Sequence, residues 1–235
     1  MTMKIGIMQP YFLPYIGYFQ LMNAVDEFVI YDNIKFTKKG WINRNRILVN
    51  GKDSYITIPL KKDSDYLDVK DRSLADSWQI DRKSMLNRIS ATYRKSPYFD
   101  IVYPLAEKCI LCEESNLFGF ILNSLQLVRQ SLEISTSLVT SSTIPIDHTL
   151  KAEQKVIAIC KARNAYTYLN PIGGVELYDK DRFMGEGIDL HFLKPDEFSY
   201  AQFGNGFVPW LSIIDVMMFN SKEAITKMLT QYSLR

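Results

Sequence analysis

Cysteine is scarce in this sequence and long apolar runs are absent, and each shortage excludes a class of protein. Only 3 of the 235 residues are cysteine, an odd and sparse count that excludes a disulfide scaffold. No run of roughly 18 apolar residues occurs, which excludes a membrane-spanning helix. The N-terminal residues lack a basic region followed by a long apolar stretch and a cleavage site. We therefore expect no secretory signal peptide and a cytoplasmic protein.

Excess charge is also lacking, since 28 basic and 26 acidic side chains leave a net charge of +2. That small excess and the lack of a recognised nucleic-acid motif argue against a nucleic-acid partner. Hydrophobic residues make up 47% of the chain and aromatic residues 13%. Such a chain can bury enough apolar surface to offset its conformational entropy, so we expect a globular protein rather than a disordered one.

The sequence shows no metal, redox or serine-hydrolase motif with the expected spacing. His148 and His191 do not stand at zinc-ligand spacing from the cysteines or from each other. Cys109 and Cys112 form a CxxC pair within residues 103–114, which we predict to be helical, whereas redox pairs normally sit at a helix N-terminus. We interpret both as partly buried helix residues. No GxSxG nucleophile elbow is present, and the sequence identifies no cofactor.

The hydrophobic pattern of the first thirty residues predicts a βαβ unit. Residues 4–9 and 27–31 are apolar enough to be buried strands. Pro10 and Pro14 punctuate a loop between them, and residues 15–25 have the apolar spacing of a helix. A strand, a helix and a second strand at this spacing imply a parallel sheet with a right-handed crossover.

Alternation of strands and helices resumes in the second half of the chain. The predicted strands are residues 137–140, 166–169 and 189–193, and the predicted helices are residues 151–163, 176–184, 210–219 and 222–231. Pro209 is placed at the start of the third of these helices, because proline is tolerated at the first helical position. We expect one α/β domain over residues 1–235, built on an open, mostly parallel Rossmann-like sheet.

Two insertions interrupt this pattern. Asn50-Gly51 lies between two strand-like runs and predicts a type I′ turn, because both residues tolerate positive φ angles. We therefore expect a basic β-hairpin insertion over residues 33–62, grafted onto the sheet. Residues 76–134 carry apolar residues at three- and four-residue spacing, which predicts a helical insertion.

The loops that follow predicted strands are candidate ligand sites, because open parallel sheets bind ligands outside the carboxyl ends of their strands. The candidate binding residues in these loops are Gln9, Tyr11, Gly17, Ser141, Ser142, Asn170, Gly173 and Gly174. Turn packing and loop capping are the structural alternatives. Asp32 and Glu176 are candidate general bases, and Glu176 is equally a candidate helix cap. Asp215, an acid among apolar neighbours, is interpreted as paired and structural.

The predicted hairpin concentrates positive charge. Eight basic residues stand against one acid, Asp53, between residues 33 and 62. Such a cluster attracts phosphate or other anions, and arginine can grip them through paired hydrogen bonds. Lys35, Arg44 and Arg46 are therefore candidate pyrophosphate ligands, and Trp41 is placed to stack on a base or sugar ring. A solvated hairpin with exposed lysines is the alternative interpretation.

Four segments, residues 7–21, 40–47, 169–178 and 209–220, resemble the motifs of the WbqC-like protein family, and the resemblance runs nearly end to end. It implies a role in bacterial surface-polysaccharide (O-antigen) biosynthesis, with glycyl, other aminoacyl or acyl transfer to a sugar as the reaction. The positions of this chain that match the family motifs are Gln9, Pro10, Tyr15, Gly17, Tyr18, Trp41, Asn43, Arg44, Arg46, Asn170, Pro171, Glu176 and Asp215.

The order strand, loop, Tyr15-Ile-Gly-Tyr18, helix is also similar to the opening of the HxGH nucleotidyltransferases. Both histidines of that motif are tyrosines here. A phenol can donate a hydrogen bond to a phosphate, but it carries no positive charge near neutral pH. This second resemblance therefore implies a nucleotide- or phosphate-binding architecture rather than adenylyl transfer in its usual form.

We expect a small, phosphate-bearing substrate and hold three hypotheses about function. The first is a transferase acting on a nucleotide-linked sugar, in which Asp32 or Glu176 is the general base. The residues that place the acceptor in this hypothesis are Gln9, Tyr15, Tyr18 and Asn170. The second is an ATP-dependent nucleotidyltransferase or ligase, with the same tyrosines and Ser142 at the triphosphate. The third is a non-catalytic partner in a biosynthetic complex, and a homodimer is left open.

The two enzyme hypotheses depend on one geometric expectation. Gln9, Arg44 and Asn170 come from three distant parts of the sequence. We expect them to meet in a single anion-attracting cleft along the rim of the α/β sheet.

Overall fold

The computed structural model describes residues 3–204 and 206–235, in which strands and helices alternate. The strands are β1 (Met3–Met8), β2 (Glu27–Ile30), β3 (Arg44–Val49), β4 (Lys52–Thr57), β5 (Ser137–Thr140), β6 (Ala165–Pro171), β7 (Asp189–Pro195) and β8 (Tyr232–Leu234). The helices are α1 (Ile16–Asn23), α2 (Trp78–Tyr93), α3 (Phe99–Ile110), α4 (Leu117–Ser131), α5 (Ala152–Ala162), α6 (Lys180–Gly185), α7 (Ile213–Phe219) and α8 (Lys222–Met228).

Six strands form one sheet in the order β5-β2-β1-β6-β7-β8. The first five are parallel to their neighbours, and β8 runs antiparallel to β7. The predicted open, mostly parallel α/β sheet is confirmed. The chain moves from β1 outward to β2, and β6 later pairs on the other side of β1. Strand order therefore reverses between β1 and β6, which is where such sheets open a crevice.

Both faces of the sheet are covered, because successive side chains of a strand point to opposite faces. In β2, Phe28 and Ile30 belong to the hydrophobic cluster on one face, and Val29 belongs to the cluster on the other. The first cluster includes residues of α1, the hairpin, α2, α3, α4 and α7. The second contains residues of α5 and Phe183 of α6. A double-sided helical cover explains why the central strands are almost wholly apolar.

The hairpin is confirmed, but it is not grafted onto the main sheet. Asn50 and Gly51 have φ angles of +52° and +74°, as a type I′ turn requires. Strands β3 and β4 pair only with each other and form a two-stranded antiparallel sheet of their own. Ile47 and Leu48 are buried in the first cluster, so side-chain packing attaches the hairpin to the core.

The predicted helical stretch of residues 76–134 resolves into α2, α3 and α4. Asn116 is the N-cap of α4, because its side chain accepts a hydrogen bond from the Gly119 amide at 3.0 Å. Helix α3 ends at Ile110, so the expectation of helix through residue 114 is wrong and Cys112 lies past the helix end. Across residues 3–204 and 206–235, no helix combines the length and hydropathy needed to cross a bilayer.

Three predicted boundaries are corrected by local chemistry. Residues 176–184 are not one helix, because Asp179 caps a new helix at Lys180 and a 3-10 turn, Ile172–Leu177, precedes it. The helix after Pro209 begins at Ile213, because Trp210 has a φ of +62° and cannot be helical. The last helix ends at Met228 rather than at residue 231, and the chain then adds β8.

Candidate functional site

A cleft of about 1180 Å³ lies outside the carboxyl ends of β1 and β6, where the strand order reverses. Strand β1 contributes Met8 and the following Gln9 to its lining, and β6 contributes Pro171 followed by Gly173 and Gly174. Ligands of doubly wound sheets bind at this position because the loops from both halves of the sheet diverge there. The cleft is therefore the candidate functional site.

Six of the candidate residues from the sequence line the cleft, namely Gln9, Tyr11, Lys35, Ser142, Gly173 and Gly174. Asn170 is 5% exposed and supports the glycine loop. Its Oδ1 accepts a hydrogen bond from the Tyr168 hydroxyl at 3.0 Å. A Cβ on Gly174 would stand 1.9 Å from Asn170 Nδ2, so only glycine fits against this amide. Asn170 thus shapes the cleft wall without lining it.

Asp32 joins the ends of two strands beside the cleft. Its Oδ1 accepts from the Ser142 amide at 2.9 Å, and its Oδ2 accepts from the Ser142 hydroxyl at 2.6 Å. Ser141 Oγ lies 2.8 Å from Asp32 Oδ1. The carboxylate is 2% exposed, and these bonds occupy both of its oxygens. Asp32 is therefore placed to hold β2 against β5, and Ser141 and Ser142 serve that junction.

The tyrosine pair of the first loop does not face the cleft. Tyr18 is 2% exposed and donates to the Gln9 carbonyl at 3.1 Å, and burial raises the pKa of its phenol. A Cβ on Gly17 would stand 2.4 Å from the Tyr15 ring, so this glycine accommodates that ring. Glu176 is exposed in the 3-10 turn and does not line the cleft.

A second cavity of about 280 Å³, which we term the aromatic slot, is lined by three candidate residues that do not line the cleft, Tyr15, Trp41 and Arg46. It is lined by Tyr11, Pro14, Tyr15, Trp41, Asn45, Arg46 and Trp210. Tyr11 lines the cleft as well, so the two cavities share one wall. Asn43 is buried away from both and donates to the Ile58 carbonyl at 2.8 Å.

Arg44 lines neither the cleft nor the slot. Its guanidinium donates to the carbonyls of Gly40 and Lys39 at 3.0 and 2.6 Å and lies 4.8 Å from the centre of the Tyr55 ring. The structure therefore brings Gln9 and the loop after Asn170 together, but not Arg44. The expectation that Gln9, Arg44 and Asn170 meet in one cleft is therefore wrong. The structure instead has two cavities that share Tyr11.

The sequence analysis missed most of the charged residues of the cleft. Beside Lys35, the charged side chains that line it are Asp68, Lys70, Lys151 and Lys155. Lys70 forms an ion pair with Asp71 at 3.0 Å. The other three lysines still outnumber the Asp68 carboxylate, so the cleft attracts anions. The uncharged lining residues that were missed include Tyr31, His148 and Tyr178. Lys70, Lys151 and Lys155 lie outside the basic hairpin segment, which is why a charge count along the chain did not find them.

Lys155 is the most enclosed of these lysines. It is 5% exposed, donates to the Asn33 carbonyl at 3.3 Å, and places Nζ 5.0 Å from the centre of the Tyr31 ring. Burial lowers the pKa of Lys155, and the carboxylates of Asp68 and Asp32 oppose that shift. A lysine on the apolar face of α5, one residue before Val156, is the sequence signal that could have identified it.

The remaining polar groups form an ordered rim. Nδ1 of His148 accepts from Asn33 Nδ2 at 2.9 Å, and Nε2 donates to the Ile144 carbonyl at 3.0 Å. Burial, chiefly, raises the pKa of Tyr31 to about 12, so its phenol stays protonated near neutral pH. The N-terminus of α5 also borders the cleft, because its N-cap residue Lys151 lines it. The Lys151 side chain makes no capping hydrogen bond to the first amides of the helix.

Asp68 is the only acid that lines the cleft within residues 3–204 and 206–235. In that part of the chain, no lysine, arginine or histidine forms a salt bridge with its carboxylate, although Lys70 and Lys155 are close enough to feel its charge. This half-buried carboxylate is not held in an ion pair, so its oxygens are available to a ligand bound in the cleft.

Other reactive groups are engaged away from the cleft. Asp215 is fully buried and paired, accepting from Tyr93, Tyr200 and Gln202. Burial raises the pKa of Cys109 to about 12, which disfavours the thiolate that redox chemistry needs. In the described part of the chain, no three His, Cys, Asp or Glu side chains cluster as a metal site.

The chain has recognisable relatives. A model described as the WbqC-like protein family matches residues 9–227. The uncharacterized protein Rv1507c of Mycobacterium tuberculosis (strain ATCC 25618 / H37Rv) is 28% identical over 227 residues, which cover 94% of this chain and 95% of that protein. No solved structure matches the chain.

Proposed function

This chain belongs to the WbqC-like protein family, and we propose that it is a transferase that binds a nucleotide-linked sugar through its phosphates in the cleft. The family resemblance supports a role in bacterial surface-polysaccharide (O-antigen) biosynthesis, with glycyl, other aminoacyl or acyl transfer as the reaction. A cytoplasmic location remains a prediction of the sequence.

The convergence of lysines on the cleft carries this proposal. Lys35, Lys70, Lys151 and Lys155 reach it from three separate parts of the chain. A diphosphate carries negative charge that these side chains can neutralise, and uncapped amides at the start of α5 add donors of the same polarity. The volume of about 1180 Å³ exceeds what one phosphate fills and accommodates a nucleotide-sized ligand.

Asp68 is the group best placed to act as the general base. It would remove a proton from the attacking amine or hydroxyl of the nucleotide-linked sugar, whose phosphate groups the lysines hold. That nitrogen or oxygen then forms a bond to the acyl carbon of an activated aminoacyl or acyl donor, and the bond from that carbon to the donor's leaving group breaks. A positioned base contributes roughly 10²- to 10⁴-fold to such a reaction, and orientation of the two substrates contributes the larger share. In this assignment Asp32 and Ser142 are positioning groups, and Gln9 faces the bound ligand.

Calorimetry with a panel of uridine and adenosine diphosphate sugars tests the binding step. Lys155→Met keeps the length of the buried stem and removes the charge. We expect it to weaken the best ligand roughly 10- to 100-fold, because a charge-assisted hydrogen bond contributes about 1.5–3 kcal/mol. Lys161→Met is the matched control, since Lys161 is on the same helix but pairs with Glu186 at the surface. Equal loss in both variants, or none in either, would contradict the proposal.

The chemical step needs its own readout. Mass spectrometry of the surface polysaccharide from a deletion strain identifies the transferred group as the substituent that is missing. Complementation with Asp68→Asn should leave that substituent missing or strongly reduced, whereas the surface variant Asp196→Asn should restore it. If Asp68→Asn restores the substituent fully, Asp68 is not the base and the non-catalytic partner hypothesis gains support.

The ATP-dependent alternative has one supporting observation, since Ser142 lines the cleft. The tyrosines that this hypothesis places at the triphosphate lie elsewhere, with Tyr18 buried and Tyr15 in the aromatic slot. A thermal-shift screen separates the two readings. Stabilisation by ATP with magnesium, and not by nucleotide sugars, would favour the alternative.

A further inference from the structure

We propose that the aromatic slot binds one neutral sugar ring, and that this ring belongs to the acceptor of the transfer reaction. The acceptor role rests on the proposed function, whereas sugar binding by the slot can be tested separately. The slot lies beside the cleft and shares Tyr11 with it, so a sugar ring bound in the slot is adjacent to phosphate groups bound in the cleft.

The walls of the slot are aromatic and are held in place. Tyr15 and Trp210 meet edge to face, with ring centroids 5.7 Å apart and an interplanar angle of 63°. Trp41 is stacked on Tyr55 at 6.0 Å, and the Arg46 guanidinium lies 5.3 Å from the Trp41 ring centre. The C–H faces of a pyranose pack well on such rings, and rings that are already fixed lose little entropy on binding.

The slot has no unbalanced charge, in contrast to the cleft. Among the residues that the structure describes, Arg46 is the only charged one that lines the slot, and its Nη1 donates to Asp53 at 2.9 Å. The indole nitrogens of Trp41 and Trp210 make no hydrogen bond to any residue within 3–204 and 206–235, so both donors are available to hydroxyl groups of a ligand, whereas Tyr15 Oη packs against Gly17. Aromatic walls with a few neutral donors suit a polyhydroxylated ring rather than a phosphate.

Trp210 is kept in a costly conformation at this cavity. Its φ of +62° lies in the left-handed region, which costs a non-glycine residue free energy, and its side chain is 61% exposed. Strand β3 holds it there on two sides. Arg46 Nη2 donates to the Trp210 carbonyl at 3.2 Å, and the Ser212 amide donates to the Arg46 carbonyl at 2.8 Å. An exposed ring that the fold keeps in place at such a cost fits a role in binding.

A sugar fits the slot better than a nucleobase does. The rings of Tyr15 and Trp210 are too strongly inclined to sandwich a flat base. The cleft also has rings of its own for a base, Tyr31 and Tyr178, on the same side of the molecule as the lysines. A volume of about 280 Å³ holds one ring, so we expect a single sugar residue of the acceptor to enter.

Intrinsic fluorescence tests the inference, because two of the three tryptophans, Trp41 and Trp210, line the slot and Trp78 is 3% exposed. The probes are methyl glycosides of glucose, galactose and N-acetylglucosamine, titrated into the millimolar range with and without uridine diphosphate. We expect a saturable emission change and protection from acrylamide quenching for at least one glycoside. Trp210→Ala should weaken that binding about tenfold or more.

Two controls make the outcome decisive. Tyr166→Ala removes a similarly exposed ring, 59% exposed, near the amino end of β6 and away from the loops at the carboxyl ends of the strands, and should leave glycoside binding unchanged. Trp210→Ala should leave uridine diphosphate binding, measured by calorimetry, within about twofold of wild type. A saturable change with uridine or adenosine and none with any glycoside would overturn the inference, and so would no change with any probe. Failure of uridine diphosphate to bind wild type would count against the proposed function alone.

Discussion

The Tyr93 hydroxyl donates to Asp215 Oδ2 at 2.7 Å and accepts from the Leu48 amide at 2.9 Å. This phenol therefore links α2, the hairpin and α7. Asp215 Oδ1 in turn accepts from Tyr200 at 2.6 Å and from Gln202 at 2.8 Å. The segment that carries Trp210 lies between these two partners and α7, so one buried carboxylate anchors both of its sides.

Removal of this carboxylate should destabilise the protein strongly. Asp215→Ala leaves the donors of Tyr93, Tyr200 and Gln202 without their acceptor, and each buried donor without a partner costs about 1–3 kcal/mol. We expect the free energy of unfolding in urea to fall by about 3 kcal/mol or more. Asp196 is an exposed acid that directly follows β7. The control variant Asp196→Ala should change the free energy of unfolding by about 0.5 kcal/mol or less. Equal stability of both variants would show that the network contributes nothing.

Adjacent glycines offer a matched pair at the cleft wall. A Cβ on Gly174 would overlap Asn170 Nδ2, whereas a Cβ on Gly173 meets nothing within 4 Å. Gly174→Ala should cost about 1–3 kcal/mol of stability, as overpacking does, and should also weaken nucleotide-sugar binding by displacing the loop. Gly173→Ala should be close to wild type in both respects. Chemical denaturation and calorimetry on the two variants check this, and a tolerated Gly174→Ala would contradict the assigned contact.

As pH rises, ligand binding should weaken at a lower pH than it would if a lysine with an ordinary pKa held the anion. Burial lowers the pKa of Lys155 below its usual 10.5, so the ammonium that holds the anion loses its proton at a lower pH. We expect affinity for uridine diphosphate to fall as pH rises through that lowered value. In Lys155→Met this component of the pH dependence should disappear, and an unchanged profile would exclude Lys155 as an anion ligand.

The same lowered pKa has a consequence for stability. A lysine whose pKa is lower when folded costs free energy below that pKa, where its charge is buried, and the cost is relieved as pH rises toward 10.5. Lys155→Met should therefore be more stable than wild type at neutral pH, although it binds ligand less well. Thermal or urea unfolding at pH 7 and pH 10 checks this, and the gain should be smaller at pH 10.

The order of strands and helices could be predicted from sequence because it depends on local periodicity and on turn chemistry such as Asn50-Gly51. The loops after β1 and β6 could be identified for the same reason. Local patterns do not say which side chains converge in space. Arg44 lies in the basic segment but outside the cleft, whereas Lys155 lies on a distant helix and lines it. The helix start after Trp210 was misplaced because tertiary contacts hold that residue at a positive φ.

The most direct test of phosphate binding in the cleft is a crystal structure with the best nucleotide sugar from the calorimetric panel. The account predicts that the phosphate oxygens lie within hydrogen-bond distance, about 3 Å, of Lys155 Nζ and beside the Gly173–Gly174 loop. Phosphates bound instead at Arg44 on the hairpin, with the cleft empty, would contradict it.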